Sequence, residues 1–339
     1  MPVMIVAWRR AFALGPPLAL TVAVPVAAHG PVPTEPPTLA NLLLGWTFEP
    51  LPTLAIASAI VVWVWAVRRV DAAHPANPVP RRRSVYFGLG MAALAFALLS
   101  GIEAYDTTLF SVHMVQHLLL TLIAAPFIAL AAPITLLLRV STPGVRKRWI
   151  LPVLHSRVMR VLAFPVVAWL AFAGMMWVSH FSPLFDAALE DPLIHQVEHA
   201  LFLGTALLFW WPAVAADPAP WRMPHPARAL YHFLMMPQNT FLAVVILGAG
   251  TVLYPHYETL ERTWGPTALE DQRLAAGIMW IVGDAVFLIG VLAILFGWMR
   301  LETAGAARSD ARADAELAGI RVREQALADR LAQERGEGS

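Results

Sequence analysis

The chain has 339 residues, of which 58% are hydrophobic and 14% are charged, with a mean hydropathy of +0.61 and a formal net charge of +1. A soluble domain averages about 45–50% apolar and about 25% charged residues, so this composition predicts an integral membrane protein. The chain contains no cysteine, which excludes disulfides, thiolate metal sites and cysteine nucleophiles. Any soft-metal site must therefore use histidine, methionine or carboxylate ligands.

The first residues, 1–28, have the pattern of a signal peptide. Two arginines precede an apolar stretch, which ends in small residues suited to cleavage. The alternative is an uncleaved first helix, which Pro16, Pro17 and Pro25 disfavour because proline interrupts a long straight helix. Residues 29–50 are then expected to form a periplasmic N-terminal segment.

Seven apolar segments are long enough to cross a bilayer, which takes about 20 predominantly apolar residues. They lie at 51–67, 84–102, 109–138, 161–179, 193–213, 230–254 and 274–299. The third is the longest, and Pro126 and Pro133 give it places to tilt or bend. The predicted fold class is all-α, a polytopic bundle of about seven transmembrane helices over residues 51–299.

Basic residues fall in alternate loops. The loops 68–83, 139–160 and 214–229 carry thirteen Lys and Arg residues, whereas the other loops carry only Arg262 and Arg273 beside nine acids. Basic loops stay in the cytoplasm, so this pattern predicts an N-terminus outside and a C-terminus inside. The polar residues that follow, 300–339, are then a cytoplasmic helical tail. It lacks the sustained heptad of a coiled coil, so we expect a solvated helix or a loose partner-binding tail.

Two pairs of histidines lie in the first turns of two spans predicted to run from outside to inside. His113 and His117 belong to the third span, and His195 and His199 to the fifth. The i, i+4 spacing places both imidazoles of a pair on one helix face. Ionisable residues within a membrane indicate function by default, and four nitrogens at one depth suit copper or zinc. We predict these four histidines as metal ligands, although helix rotation, which spacing does not determine, decides whether the pairs face each other.

Four other residues are second-tier metal candidates. His180 ends the fourth span and His256 ends the sixth, both on the predicted outer side. Asp271 and Met279 start the seventh span; a carboxylate can orient a ligand histidine, and a thioether binds copper(I). Each has a structural alternative, because a single buried histidine often bonds two helices and a methionine often only packs.

The segment from His195 to His199 also fits the H-x-x-E-H pattern of inverted zinc peptidases. In those enzymes the histidines bind zinc and the glutamate activates water. The match fixes only three positions, and those peptidases are soluble domains with a further acidic ligand. Glu198 has the alternative role of a partner for a ligand histidine.

Three blocks of sequence carry a resemblance to a known family. They are Ser111–Leu118 with the following Ala-Pro pairs, the stretch from Trp177 and His180 through Asp186 to His199 and Pro212, and the stretch from Tyr254–Tyr257 through Trp264 and Leu269–Gln272 to Trp280. Over residues 40–300 the chain resembles the seven-span CtaG-type assembly factors of bacterial cytochrome c oxidase. The resemblance implies a multi-pass protein of the bacterial inner membrane that helps to build the copper-containing site of the oxidase and is not an enzyme.

The combined expectation is a copper-binding accessory factor whose partners are membrane lipid, an oxidase subunit and a periplasmic copper donor, with no nucleic acid. Histidine ligands bind copper when unprotonated, so loading should weaken as the pH falls below about 6.

Three alternatives stay open. A bis-histidine b-type cytochrome would use histidines on neighbouring helices to ligate haem. A zinc-dependent intramembrane hydrolase would use Glu198. A copper transporter would need polar or methionine steps through the inner leaflet, where the sequence offers few beyond His232, Met235 and Met236.

Overall fold

A computed structural model describes residues 33–337, so the predicted signal peptide lies outside the described residues. This part of the chain forms helices and loops and contains no strand. In chain order the α-helices are α1 Leu39–Leu44, α2 Pro50–Ala73, α3 Arg81–Leu99, α4 Gly101–Tyr105, α5 Phe110–Leu118, α6 Ala125–Ala131, α7 Pro133–Val140, α8 Pro143–Val145, α9 Leu151–Leu154, α10 Arg157–Leu162, α11 Pro165–His180, α12 Leu184–Glu190, α13 Pro192–Val214, α14 His225–Phe233, α15 Met235–Leu247, α16 Pro255–Thr259 and α17 Ala268–Glu337. Two π-helical segments, Leu119–Ala124 and Arg146–Ile150, join neighbouring helices.

The helices confirm the predicted all-α polytopic bundle. Within residues 33–337, six helical segments are long and apolar enough to cross a membrane, and α11 together with α12, bent by 68°, would make a seventh. The six are Pro50–Ala73, Arg81–Tyr105, Phe110–Val140, Pro192–Val214, His225–Leu247 and Ala268–Leu327. The predicted fourth span corresponds to α11, which has only 16 residues, because the chain breaks between Leu162 and Pro165. Proline at the first helical position begins a new helix there, since it has no N–H to continue the previous one.

The third span is irregular near its first proline, as predicted. Pro126 has no N–H to donate to the carbonyl four residues earlier, and the preceding turn, Leu119–Ala124, adopts the wider π-helical form. The Thr121 carbonyl accepts a 2.8 Å hydrogen bond from the Trp210 indole N–H of α13. This indole bond joins the loosened turn to the neighbouring helix.

The same span breaks at its second proline. Ala132, which precedes Pro133, is in the left-handed region with φ of 58°, and proline also disfavours the right-handed helical conformation in the residue before it. The Asp217 carboxylate then caps α7, accepting hydrogen bonds from the backbone N–H groups of Ile134 (2.9 Å) and Thr135 (2.6 Å). The loop after α13 therefore fixes the start of α7, the last helix of the third span.

Large side chains fill the core between α5, α11, α13, α15 and α17. Phe110, Phe172, Phe185, Phe202 and Phe209 are each at most 2% exposed. In contrast, only 11% of the apolar window of α2 is buried, so this helix lies at the edge of the bundle. The long α17 contains the seventh span and continues through the tail as one helix of 70 residues, nearly all of it exposed from Leu301 to Leu327.

Candidate metal site

The two helices that carry the histidine pairs are both anchored by an acid at their first turn. Asp191 caps α13, because its Oδ1 atom accepts hydrogen bonds from the N–H groups of Leu193 (2.7 Å) and Ile194 (3.1 Å). Asp271, on α17, accepts hydrogen bonds from the Ser111 hydroxyl (2.5 Å) and the Ser111 N–H (3.3 Å) at the start of α5. These anchors fix the starts of the helices that hold His195 and His113.

The two histidine pairs face each other. Ring centroids lie 4.2 Å apart for His113 and His117, and 4.1 Å apart for His195 and His199. Between helices they lie 5.5 Å apart for His113 and His195, and 5.8 Å apart for His117 and His199. All four side chains are buried, with at most 6% exposure. We call them the four-histidine cluster; the structure thus settles the helix rotation that spacing left open.

Two buried carboxylates border this cluster. Ligand atoms of Asp106, His113 and His195 all lie within 4.8 Å of one another, as do those of His113, His117 and Glu198. The Asp106 Oδ2 atom is 3.4 Å from Nε2 of His195. Imidazole and carboxylate together are suitable ligands for divalent transition metals. Five of these side chains, all except His199, therefore have the composition and the spacing of a metal site.

Asp106 lies in the turn between α4 and α5, and α16 holds this turn in place. Tyr257 donates its hydroxyl to the Asp106 carbonyl (3.0 Å), and His256 bonds through Nε2 to the Thr107 carbonyl (2.9 Å). Burial raises the pKa of the Asp106 carboxyl well above its usual value, while a 2.6 Å hydrogen bond from the Thr107 N–H acts in the opposite direction. A cation in the site would favour the ionised carboxylate.

Gln116 determines which nitrogen of His199 carries the proton. Its Nε2 donates to the Ala97 carbonyl (3.0 Å) and to Oε2 of Glu103 (2.6 Å), so its Oε1 must be the atom that faces Nε2 of His199 at 3.1 Å. An amide oxygen only accepts, and His199 therefore carries its proton on Nε2. The lone pair of His199 is then on Nδ1, the atom through which it would bind a metal.

His180 lies beside the cluster. Its Nδ1 bonds to the Met176 carbonyl at 2.7 Å, and a carbonyl only accepts, so the proton is on Nδ1. Within the described residues, Nε2 of His180 has no hydrogen-bond partner. Phe185 packs against both His180 (5.7 Å between ring centroids) and His113 (4.8 Å). His180 is thus adjacent to the cluster, with one nitrogen available.

The other three candidates occupy different surroundings. Asp271 bonds to Ser111, so it supports the helix that holds two of the histidines. Met279 is 3% exposed within the apolar core. His256 is half-buried and uses its Nε2 on the Thr107 carbonyl. In the part of the chain that the structure describes, these contacts position the site, and none of the three joins the groups with metal-ligand spacing.

Sequence patterns did not reveal Asp106 or Gln116 as site residues. Asp106 lies in a turn, where helical periodicity has no meaning, so its sequence position indicates only that its loop is acidic. Gln116 follows His113 by three residues, but an uncharged glutamine at this spacing does not by itself indicate a role in the site. Its bonds to Ala97 and Glu103 depend on how α3 packs against α5, which spacing does not specify.

The fold and this site define a polytopic membrane protein with a buried cluster of histidines and carboxylates. Residues 61–301 match the family of the cytochrome c oxidase caa3 assembly factor, and the chain belongs to that family. The resemblance found in the sequence is thereby confirmed, and the family match supports a role in the assembly of cytochrome c oxidase.

Relatives in mycobacteria are similar over most of the chain. It is 31% identical over 292 residues to an uncharacterised protein of Mycobacterium bovis and to one of Mycobacterium tuberculosis, and 29% identical over 293 residues to one of Mycobacterium leprae. Each alignment covers 84% of this chain and 44% of the relative. The chain therefore spans less than half the length of these curated relatives. No solved structure gives a significant match.

Proposed function

We propose that this protein is a non-catalytic assembly factor for a haem–copper cytochrome c oxidase, which binds copper in the four-histidine cluster and delivers it to the copper centre of the oxidase. The family supports the assembly role. The observation that carries the copper role is the convergence of four buried histidines from two helices, with a carboxylate at ligand distance on either side. Under the predicted orientation, the site lies in the outer leaflet of the bacterial inner membrane.

The surroundings of the cluster fit a site that must also release its metal. A cavity of about 250 Å³ lies between α2, α3 and α13, and its lining includes Glu103, Gln196 and His199. The cluster is therefore not sealed on the side of α2, the helix with the smallest buried share. A carrier needs such an open side, because a partner must offer a new ligand before the last old one leaves.

The packing of the rings disfavours a bis-histidine haem. A haem iron takes one axial ligand on each face of a flat macrocycle. Here the four imidazoles pack directly against one another at 4.1 to 6.4 Å between centroids, so they occupy the space that the macrocycle would need. A Soret band in the purified protein would instead support the b-type cytochrome.

The packing towards the predicted inner side likewise disfavours a copper transporter. Phe202 and Phe209, each at most 2% exposed, lie along α13 between the cluster and its inner end. His232 packs on Phe209 (5.6 Å) and bonds through Nδ1 to a backbone carbonyl. A copper ion leaving the cluster would have to pass apolar side chains without ligands, which is costly.

One observation supports the alternative of a zinc-dependent hydrolase: Glu198 lies within ligand distance of His113 and His117. Glu198 also accepts a hydrogen bond from the Ser179 hydroxyl. A hydrolase would lose all turnover in the Glu198→Gln variant while its metal content survived. A delivery role predicts that Glu198→Gln changes metal binding itself.

Oxidase assembly in cells tests the proposed function. The host strain lacks its own copy of the gene and receives either the wild type or a variant with His113, His117, His195 and His199 changed to alanine. A matched control changes His74, His155 and His225, which lie in predicted cytoplasmic loops. We expect the control to restore the copper content and activity of the oxidase and the cluster variant to fail. Normal oxidase copper with the cluster variant, at equal protein level in the membrane, would refute delivery by this site.

A further inference from the structure

The five side chains with metal-ligand spacing fall into two groups rather than one. Asp106, His113 and His195 form one group, and His113, His117 and Glu198 form the other, with all ligand atoms of a group within 4.8 Å of one another. His113 is common to both. A tetrahedral metal ion takes about four ligands, so one ion does not use all five side chains at once.

Each of the two groups also has its own negative charge, from one buried carboxylate. Asp106 and Glu198 are both 0% exposed, and each group contains one of them. Among the described residues, no Lys or Arg lies within ion-pair distance of either carboxylate, and the single ion-pair contact is that of Asp106 with His195. A buried carboxylate without a cation is costly. Each group is therefore suited to one metal cation, which would be neutralised in part by its own carboxylate.

We infer that the cluster offers two adjacent metal positions that share His113, an outer one at Asp106, His113 and His195 and an inner one at His113, His117 and Glu198. This inference deepens the proposed copper function and rests on it. Asp106 lies before the start of α5, whereas Glu198 lies in the second turn of α13, so the two positions are at different depths. A copper ion can pass between them by exchanging one pair of ligands while His113 holds it.

The contacts of Gln116 with His199 also indicate that the two metal positions have different ligand surroundings. His199 is bound through Nε2 to Gln116, and it stacks beside His195 and beside His117. The lone pair of His199 is on Nδ1, so His199 would ligate a metal in either group through that atom. The two positions differ in their acid and in one histidine, so they should give different spectra for the same metal.

Electron paramagnetic resonance of the full chain in detergent, titrated with Cu²⁺ alone up to one equivalent so that no molecule holds two magnetically coupled ions, tests the two positions. We expect two sets of copper hyperfine lines in the wild type, one set in Asp106→Asn and the other set in Glu198→Gln. His113→Ala should lose both. His155→Ala, which changes an exposed histidine outside both groups, is the matched control and should keep both. Thermal melting of each apo variant shows whether it is folded.

The outcomes separate this inference from the proposed function. A single set of lines in a wild type that binds copper overturns the two positions and leaves the copper function intact. Two sets that both survive Asp106→Asn and Glu198→Gln also overturn the inference, because the second ion then lies elsewhere. No copper signal from the folded wild type would refute both proposals together.

Discussion

Changing Gln116 to methionine should weaken copper binding without touching a ligand. Gln116 accepts the Nε2 proton of His199 and is itself held by Ala97 and Glu103. The variant leaves His199 free to rotate or to change tautomer, so Nδ1 is no longer directed to the metal. Loss of such a supporting hydrogen bond typically costs 10- to 100-fold in metal affinity, about 1.4–2.8 kcal/mol. Three interhelical hydrogen bonds also disappear, and at roughly 0.6 kcal/mol each in a membrane protein the stability should fall by about 2 kcal/mol.

The assay for this prediction is competition for copper(I) against a chromophoric chelator, with the detergent-purified full chain. Gln196→Met is the matched control, because Gln196 is a half-buried glutamine on α13 that lines the neighbouring cavity and makes no hydrogen bond to the cluster among the described residues. We expect the Gln116 variant to lose at least about tenfold in affinity and the control to lose none. Equal affinities for the two variants would refute the argument that Gln116 sets the tautomer of His199.

Three further predictions concern the scaffold, each measured by thermal or denaturant unfolding in detergent. Asp271→Asn should destabilise the protein by about 1–3 kcal/mol, because Ser111 loses a charged acceptor, and it should also weaken copper binding by releasing α5; an unchanged melting temperature would contradict this. Asp217→Ala should cost about 1–2 kcal/mol through loss of the α7 cap, whereas the exposed Asp310→Ala of the tail should be neutral. Ala215→Gly should stabilise by about 1 kcal/mol, since the exposed Ala215 ends α13 with φ of 54°, a conformation that glycine adopts without penalty; a loss of stability would show that the strain lies elsewhere.

Much of the fold was predictable because it depends on local properties of the chain. The length of an apolar segment predicts a span, and the i, i+4 spacing predicts which histidines share a helix face. Both sets of predictions agree with the helices observed. The short α11 was harder to predict, because the apolar character of 161–179 continues through the break at Pro165 and hides it.

The remainder of the site depends on tertiary contacts. The facing of His113 towards His195 requires a helix rotation that the packing of α5 on α17 and of α13 on α11 determines. Asp106 reaches the cluster because α16, about 150 residues later, bonds to its turn. Asp271 likewise acts on Ser111 across 160 residues. Interactions of this separation leave no periodic trace in one sequence, so Asp271 was predicted near the site, but its bond to Ser111 was not.

Elemental analysis of copper tests the central claim most directly. The full chain is purified in detergent, loaded anaerobically with copper(I) and freed of unbound metal. It is compared with the variant that has His113, His117, His195 and His199 changed to alanine, and with the control in which His74, His155 and His225 are changed. Copper in the wild type and the control, with none in the cluster variant, is the result that we predict. Equal copper in all three proteins, or none in any, would contradict copper binding by the four-histidine cluster.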